Sequence, residues 1–342
     1  MEGSNSYALV DKATGQVRFH QFDGAGKIGE IGPLNTHLSN VSGISSGFES
    51  SGQEYLTLSS ITTNRIAFIA PSDSYPSYLF SDIPGPENSF PLNVSGNLDN
   101  PIFISSHYGT GGHGLELIKD PLSTNETLDQ IEPLPALTNA LPLRDPVSGD
   151  QRGVALYDSP APDTILELYR SGDSIFGNVK SPVSSGSRLT TEVVASDGRI
   201  CTIAYVPGAT NAEVFTHTFG GFSESLVPSS TWDFPIGSIA PIPYGGLPGA
   251  TDGILITAYD GSTAAYARIT PNAAAPTIPT EFKFISIETF SPDPDQLFTG
   301  LLPVPNSGII AFQGSGDQIS SNWRYFTNSG ACLLYTSDAA DE

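Results

Sequence analysis

The sequence is poor in cysteine, in basic residues and in long apolar runs, and each shortage excludes a class of protein. Two of its 342 residues are cysteine, too few for a disulfide framework. Lys and Arg number 14 against 36 Asp and Glu, and the formal charge of -22 repels nucleic acid and anionic lipid surfaces. No apolar run approaches the length of a membrane span, and the N-terminal MEGSNSYALV lacks both the basic and the apolar region of an export signal. We therefore expect neither a nucleic-acid partner nor membrane insertion.

Turn-forming residues between short apolar segments are what the sequence has in abundance. It contains 35 Gly and 28 Pro, and only 15% of its residues are charged, which is typical of many short strands rather than long helices. Apolar, β-branched segments recur about every 50 residues. Each is followed, after a short turn, by a strand of alternating apolar and polar residues, such as QVRFHQFD or TILELYRS. The first apolar residues of the recurring segments are Tyr7, Tyr55, Ile102, Val154, Ile200, Ile254 and Ile309.

This repeat predicts an all-β fold, a β-propeller of about seven four-stranded blades. One four-stranded sheet cannot cover both of its faces, so neighbouring sheets must pack face to face. The first unit lacks its first strand and the last lacks its fourth, so the sequence predicts a ring left incomplete by a truncated C-terminus. The predicted blades span residues 1–36, 37–86, 87–134, 135–185, 186–234, 235–284 and 285–331.

The C-terminal segment 332–342, CLLYTSDAADE, is unlike the rest of the chain. It resembles the translation of adapter DNA used to build sequencing libraries. The resemblance implies a non-native tail behind a single propeller domain that spans residues 1–331. Cys201 is then the protein's own cysteine, and its apolar strand RICTIAYV predicts a buried, unreactive thiol.

Several units resemble the FG-GAP or VCBS repeats of integrin-type propellers. The resemblance is carried by GFESSGQEYLTLSSITTNRIAFIAP from Gly47 and, more loosely, by DPVSGDQRGVALYD and GLPGATDGILITAYDG. In that family a D-x-D-x-D-G loop binds calcium through converging oxygen ligands. No loop of this chain keeps three acidic residues at alternate positions, so the sequence itself predicts no cofactor; the resemblance adds calcium as the alternative, with Asp145 and Asp150 as its candidate ligands. Asp197 and Asp252 are isolated carboxylates in other loops.

Aromatic and histidine residues near predicted turns are the candidate ligand contacts. Aromatic rings stack on sugars and on proline-rich peptides, and propeller loops gather such groups at one end of the fold. Packing between blades is the alternative for the aromatic residues. The two histidines that flank the hairpin SHYGTGGHG could form hydrogen bonds or a two-ligand metal site. The candidate set is Tyr75, Tyr78, His107, Tyr108, His113, Trp232 and Tyr244.

No motif in the sequence defines a catalytic site. GAGKIG and GTGGHG match a phosphate-binding pattern and GISSG matches a nucleophile elbow, but none of them is followed by a predicted helix. The sequence therefore favours a non-catalytic, monomeric protein, extracellular or on the cell surface, that binds a glycan or a protein through its loops. Two alternatives stay open: a glycoside hydrolase or lyase that uses carboxylates at the channel mouth, and a structural module of a larger adhesin.

Overall fold

The structure is a computed structural model in which every described secondary-structure element is a strand. It describes residues 5–23, 26–50, 53–70, 77–79, 86–92, 102–109, 112–119, 127–130, 137–144, 151–157, 164–171, 174–217, 225–242, 252–274, 277, 281–304, 308–314, 323–327 and 332–335. These residues form 27 strands and contain no helix. The strands of the described chain group into seven small sheets, and strands that are consecutive in the chain are hydrogen-bonded neighbours in each sheet.

The first four sheets follow one another along the chain. Sheet 1 contains β1 Asn5–Val10, β2 Gln16–Asp23 and β3 Gly26–Asn35, and sheet 2 contains β4 Val41–Ser50, β5 Gln53–Ser60, β6 Arg65–Ile69 and β7 Ser77–Leu79. Sheet 3 contains β8 Pro86–Leu92, β9 Ile102–Gly109, β10 Gly112–Lys119 and β11 Thr127–Gln130. Sheet 4 contains β12 Leu137–Arg144, β13 Gln151–Tyr157, β14 Thr164–Ser171 and β15 Ser174–Pro182.

The remaining three sheets have the same four-stranded order. Sheet 5 contains β16 Arg188–Val194, β17 Ile200–Tyr205, β18 Asn211–His217 and β19 Ser225–Thr231. Sheet 6 contains β20 Ile236–Pro241, β21 Ile254–Ala258, β22 Ala264–Pro271 and β23 Phe282–Phe290. Sheet 7 contains β24 Leu297–Val304, β25 Gly308–Gly314, β26 Trp323–Thr327 and β27 Cys332–Tyr335.

The predicted repeat of four-stranded units is present, and two of its details differ from the prediction. Sheet 1 has three described strands. Sheet 7 has four rather than three, because the segment CLLY, which begins at Cys332, pairs with β26 in antiparallel register. The last strand of sheet 6 continues to Phe290, beyond the predicted boundary at residue 284.

The residues pack in two compact units, each with its own apolar core. One unit comprises residues 1–5, 22–28 and 184–342, and the other comprises residues 6–21 and 29–183. In the first unit, a cluster that includes Val193, Ile203 and Val214 of sheet 5 packs against Ile254 and Ile256 of sheet 6. All five side chains are buried. When two sheets pack face to face, the apolar side chains between them are shielded from water, which a single four-stranded sheet cannot achieve.

A second cluster joins sheets 6 and 7, and a third joins sheets 1 and 2. Leu255 and Tyr266 of sheet 6 pack with Ile309 and Ala311 of sheet 7. In the other unit, the cluster of sheets 1 and 2 includes Val17, Phe19, Val41, Leu58 and Ala67. The face-to-face packing that the sequence predicted is therefore present within each unit.

One hydrogen bond recurs between consecutive sheets. Near the start of a sheet's first strand, the backbone N–H of a buried apolar residue donates to a carbonyl in a turn between two strands of the sheet before it, at 2.8 Å in each case. A β-bulge follows that residue in all three strands. Bulges bend a strand and increase its local twist, so the hydrogen bond and the bulge together mark the start of these first strands. The donor and acceptor pairs are Val41 with Lys12, Ile236 with Ala209, and Phe298 with Gly261.

Candidate ligand-binding surface

An exposed tyrosine lies at one end of sheets 5 to 7. Tyr259 directly follows β21, in the turn that leads to β22, and 65% of its surface is exposed. Four segments lie at this end: residues 206–210, 232–235 and 259–263, which backbone hydrogen bonds link, and residues 291–297, whose Leu297 lies against Gly261. We call them the Tyr259 surface.

Backbone hydrogen bonds fix the position of Tyr259. Its N–H donates to the carbonyl of Pro235 at 2.8 Å, which ties the turn to the connection between sheets 5 and 6. The turn itself is closed by bonds from Ala258 to Thr263 at 2.9 Å and from Gly261 to Ala258 at 3.0 Å. Because these bonds hold the backbone of the turn, a ligand that contacts Tyr259 does not have to order that backbone on binding.

Two glycines allow close contacts around the turn that contains Tyr259. Gly208 of sheet 5 has φ of 88°, and a Cβ atom there would lie 3.8 Å from ring carbons of Tyr259. Gly261 has φ of 71°, and a Cβ atom there would lie 2.6 Å from the carbonyl oxygen of Phe298. The tyrosine ring is therefore flanked by sheet 5 on one side, while its own turn contacts sheet 7 on the other.

The Tyr259 surface carries acidic residues and no Lys or Arg. Its four segments read VPGAT, WDFP, YDGST and SPDPDQL, with carboxylates at Asp233, Asp260, Asp293 and Asp295. The Asp260 carboxylate accepts from the Ser262 backbone N–H at 3.0 Å and from its hydroxyl at 2.7 Å. These bonds favour the charged form and lower the pKa of Asp260. The surface is negative at neutral pH.

Four of the predicted site residues lie outside the described residues: Tyr75, Asp145, Asp150 and Tyr244. The predicted calcium site and two of the predicted aromatic contacts therefore stay predictions. Tyr78 lies in β7, opposite Ala67.

The histidine hairpin of the prediction is present in sheet 3. His107 and Tyr108 belong to β9, and His113 belongs to β10. The register places His113 opposite Tyr108, and Gly114 opposite His107. The two histidines are thus offset by one position and are not cross-strand partners.

Residue 232 begins one segment of the Tyr259 surface, but the side chain of Trp232 lies in the core. Only 4% of it is exposed, and its ring makes edge contacts with Phe234 and Phe284, with centroids 5.5 and 5.7 Å away. The packing alternative considered for the aromatic residues therefore describes Trp232, and the expectation that its ring contacts a ligand is corrected. Its buried position between sheets 5 and 6 follows from the turn at 232–235, which connects them.

The two isolated loop carboxylates of the sequence analysis, Asp197 and Asp252, are both paired with arginines. Arg199 Nε lies 2.8 Å from Asp197 Oδ2, and Arg268 Nε lies 2.8 Å from Asp252 Oδ2. A cation would have to displace an arginine at either site. No group of three or more His, Cys, Asp or Glu side chains that could hold a metal occurs among the described residues.

The first strands of sheets 5 to 7 bear on the enzyme alternative, which requires two carboxylates close together. β16, β20 and β24 contain one acidic residue between them, Glu192. It is half-buried and has φ of 60° at the bulge of β16. A single carboxylate, on a residue with positive φ, does not make an acid/base pair on these three strands.

The sequence analysis missed Tyr259, although it selected the equivalent turn in another sheet. Tyr108 lies near the end of β9, the second strand of sheet 3, and Tyr259 directly follows β21, the second strand of sheet 6. Both residues therefore lie where the second strand of a sheet leads to the third. An aromatic residue directly before Asp-Gly at the end of an apolar strand, AYDG, was the available signal. Its exposure could not be predicted because Gly208, which leaves room beside the ring, is distant in sequence.

Comparison with solved structures defines the class of fold. A functionally unknown protein from Desulfotomaculum acetoxidans aligns with 97% of this chain and 95% of its own, with a TM-score of 0.57 and 12% identity. A Lactobacillus plantarum protein aligns over 98% and 96% of the two chains, with a TM-score of 0.57 and 13% identity. The WD40 repeats of RRP9 align over 96% and 90%, with a TM-score of 0.54 and 10% identity.

These similarities, together with the repeated antiparallel sheets, show that the chain is an all-β protein with a β-propeller fold. No protein family and no curated protein matches the sequence. Among the described residues, no helix has the length and apolar character required to cross a membrane.

Proposed function

We propose that this protein is a non-catalytic binding propeller, secreted or on the cell surface, which binds a glycan or a protein through its end loops. The Tyr259 surface is the proposed binding region. Propellers commonly present ligand-binding groups on loops that a rigid scaffold positions. The sequence resemblance to FG-GAP or VCBS repeats agrees with a binding role of this kind.

The observation that carries the proposal is an exposed aromatic ring, on a turn with a hydrogen-bonded backbone, that the fold does not require. The turn of sheet 5 makes the same hydrogen bond to the next sheet through Ala209, with no exposed aromatic residue in it. Tyrosine is one of the residues that most often contribute binding energy at interfaces, because it offers a large flat area with few rotatable bonds.

The proposal is tested by comparing the wild-type protein with Tyr259→Ala on a glycan array and on an immobilised peptide library. We expect at least one bound ligand to be lost, with a fall in affinity of about tenfold or more. Ile285→Ala is the matched control, because Ile285 is a 45% exposed apolar residue of the same sheet outside the Tyr259 surface. Ligands that bind both variants as well as they bind the wild-type protein would contradict the proposal.

A further inference from the structure

We infer that the Tyr259 surface docks a basic segment of a partner protein, with a Lys or Arg side chain over the ring of Tyr259. This inference rests on the proposed function and specifies its ligand. It commits to a protein partner, and a neutral glycan is an alternative that the test below separates.

Charge complementarity is the first argument for a basic partner. Asp233, Asp260, Asp293 and Asp295 lie in the four segments of the surface, and none of those segments contains a Lys or Arg. The formal charge of the whole chain is -22. A negative surface on an acidic protein attracts cationic segments, speeds their association and disfavours anionic competitors.

The exposed apolar area is the second argument. Tyr259 is 65% exposed, and Leu297, which lies against Gly261 of the same turn, is 40% exposed. A tyrosine ring attracts a guanidinium or ammonium group over its face. The methylene stems of Lys and Arg cover apolar surface while their charged ends stay solvated. A basic side chain therefore fits both components of this surface at once.

The turn geometry does not account for all of these residues. Asp260 accepts hydrogen bonds from its own turn, as Asp11 does from Ala13 in sheet 1, so its charge has a structural role. The exposed carboxylates of Asp233 and Asp295 make no hydrogen bond within the described part of the chain. Their charge is available to a partner.

The test uses two fluorescent peptides of the same length, one in which Arg and Lys alternate with Gly and Ser, and one in which Gln replaces every basic residue. We expect the protein to bind only the basic peptide. Raising NaCl from about 0.05 M to about 0.5 M should weaken this binding at least tenfold. Tyr259→Ala should weaken it about fivefold, whereas Tyr259→Phe should retain it, because the ring is what contacts the cation.

Two double variants, each of which removes two negative charges, distinguish binding at the Tyr259 surface from general attraction to an acidic protein. The double variant Asp233→Asn with Asp295→Asn removes two charges from the Tyr259 surface and should weaken binding about tenfold. The double variant Glu281→Gln with Glu288→Gln removes two exposed charges beyond this surface and should bind nearly as the wild-type protein does. Equal losses in the two double variants would overturn the inference.

The failure of this inference is distinguishable from failure of the proposed function. If a neutral glycan binds in a salt-independent way and Tyr259→Ala abolishes that binding, the proposed function stands and the basic partner is wrong. If no ligand, basic or neutral, responds to Tyr259→Ala, both proposals are wrong.

Discussion

Two turns of the same unit, residues 206–210 of sheet 5 and residues 259–263 of sheet 6, perform the same structural task with different side chains. Each accepts a 2.8 Å hydrogen bond from the first strand of the following sheet, through Ala209 in one case and Gly261 in the other. Each also contains a glycine with positive φ, Gly208 or Gly261. The backbone of this connection is therefore repeated, whereas its side chains are not.

The difference lies in what each turn exposes to solvent. The turn of sheet 5 presents Pro207, Gly208 and Ala209, and the turn of sheet 6 presents Tyr259 and Asp260. Because the small residues of sheet 5 suffice for the connection, the tyrosine of sheet 6 is an addition that folding does not demand. Residues of this kind are the ones that carry function on repeated scaffolds.

The largest expected effect contrasts the two aromatic residues near these turns. Trp232→Ala should destabilise the protein by about 3–5 kcal/mol, because it leaves a cavity between sheets 5 and 6. Tyr259→Ala should change the free energy of unfolding by no more than about 0.5 kcal/mol, because little area is buried. Urea denaturation followed by circular dichroism measures both. Similar losses of stability in the two variants would mean that Tyr259 is a packing residue.

The second prediction contrasts the two glycines. Gly261→Ala should cost about 3 kcal/mol, because it strains a positive φ and brings Cβ against the carbonyl oxygen of Phe298. Gly208→Ala should cost about 1 kcal/mol, because only the backbone strain applies and the nearest atoms are in ordinary contact.

A third glycine controls for backbone strain alone. A Cβ atom at Gly186, which has φ of 79°, would meet nothing within 4 Å. Gly186→Ala should therefore match Gly208→Ala in thermal unfolding. If Gly261→Ala is no worse than these two, the close contact between the turn of sheet 6 and sheet 7 does not contribute to stability.

The strand repeat could be predicted from the sequence because alternation and turn residues are local signals. Cys201 was expected to be buried from its apolar strand, and it is fully buried, with a thiol pKa raised by desolvation. What decides a strand's identity lies within a few residues of it.

The candidate site was less predictable because exposure depends on residues far apart in the chain. Trp232 and Tyr259 are both aromatic residues at strand ends, yet Phe284 and Phe234 pack against the first, whereas the second, beside Gly208, is 65% exposed. The same applies to Asp252, which precedes β21 and whose arginine partner, Arg268, lies on β22. Local sequence indicates a turn but does not indicate which neighbour covers it.

The smallest effect concerns two carboxylates near these turns whose pKa values shift in opposite directions. Burial raises the pKa of Glu213, against the weaker effect of hydrogen bonds from Ser184, whereas hydrogen bonds from Ser262 lower the pKa of Asp260. Glu213 binds its proton more tightly in the folded state, so its contribution to stability is present in acid and is lost as the pH rises through its folded pKa. The contribution of Asp260 is present at neutral pH and is lost as the pH falls through its folded pKa.

Neutral variants should therefore respond in opposite senses. At neutral pH, Glu213→Gln should be more stable than the wild-type protein and Asp260→Asn should be less stable. The difference for Glu213→Gln should shrink as the pH falls from about 7 towards about 4, whereas the difference for Asp260→Asn should shrink only below about pH 4, because the folded pKa of Asp260 is lowered. Asn retains an oxygen that accepts from Ser262, so Asp260→Asn isolates the effect of the charge. Urea midpoints across this range measure both differences. If Asp260→Asn follows the same trend as Glu213→Gln, the carboxylate is not held in its charged form by the turn, and the contrast in charge between the two turns is absent.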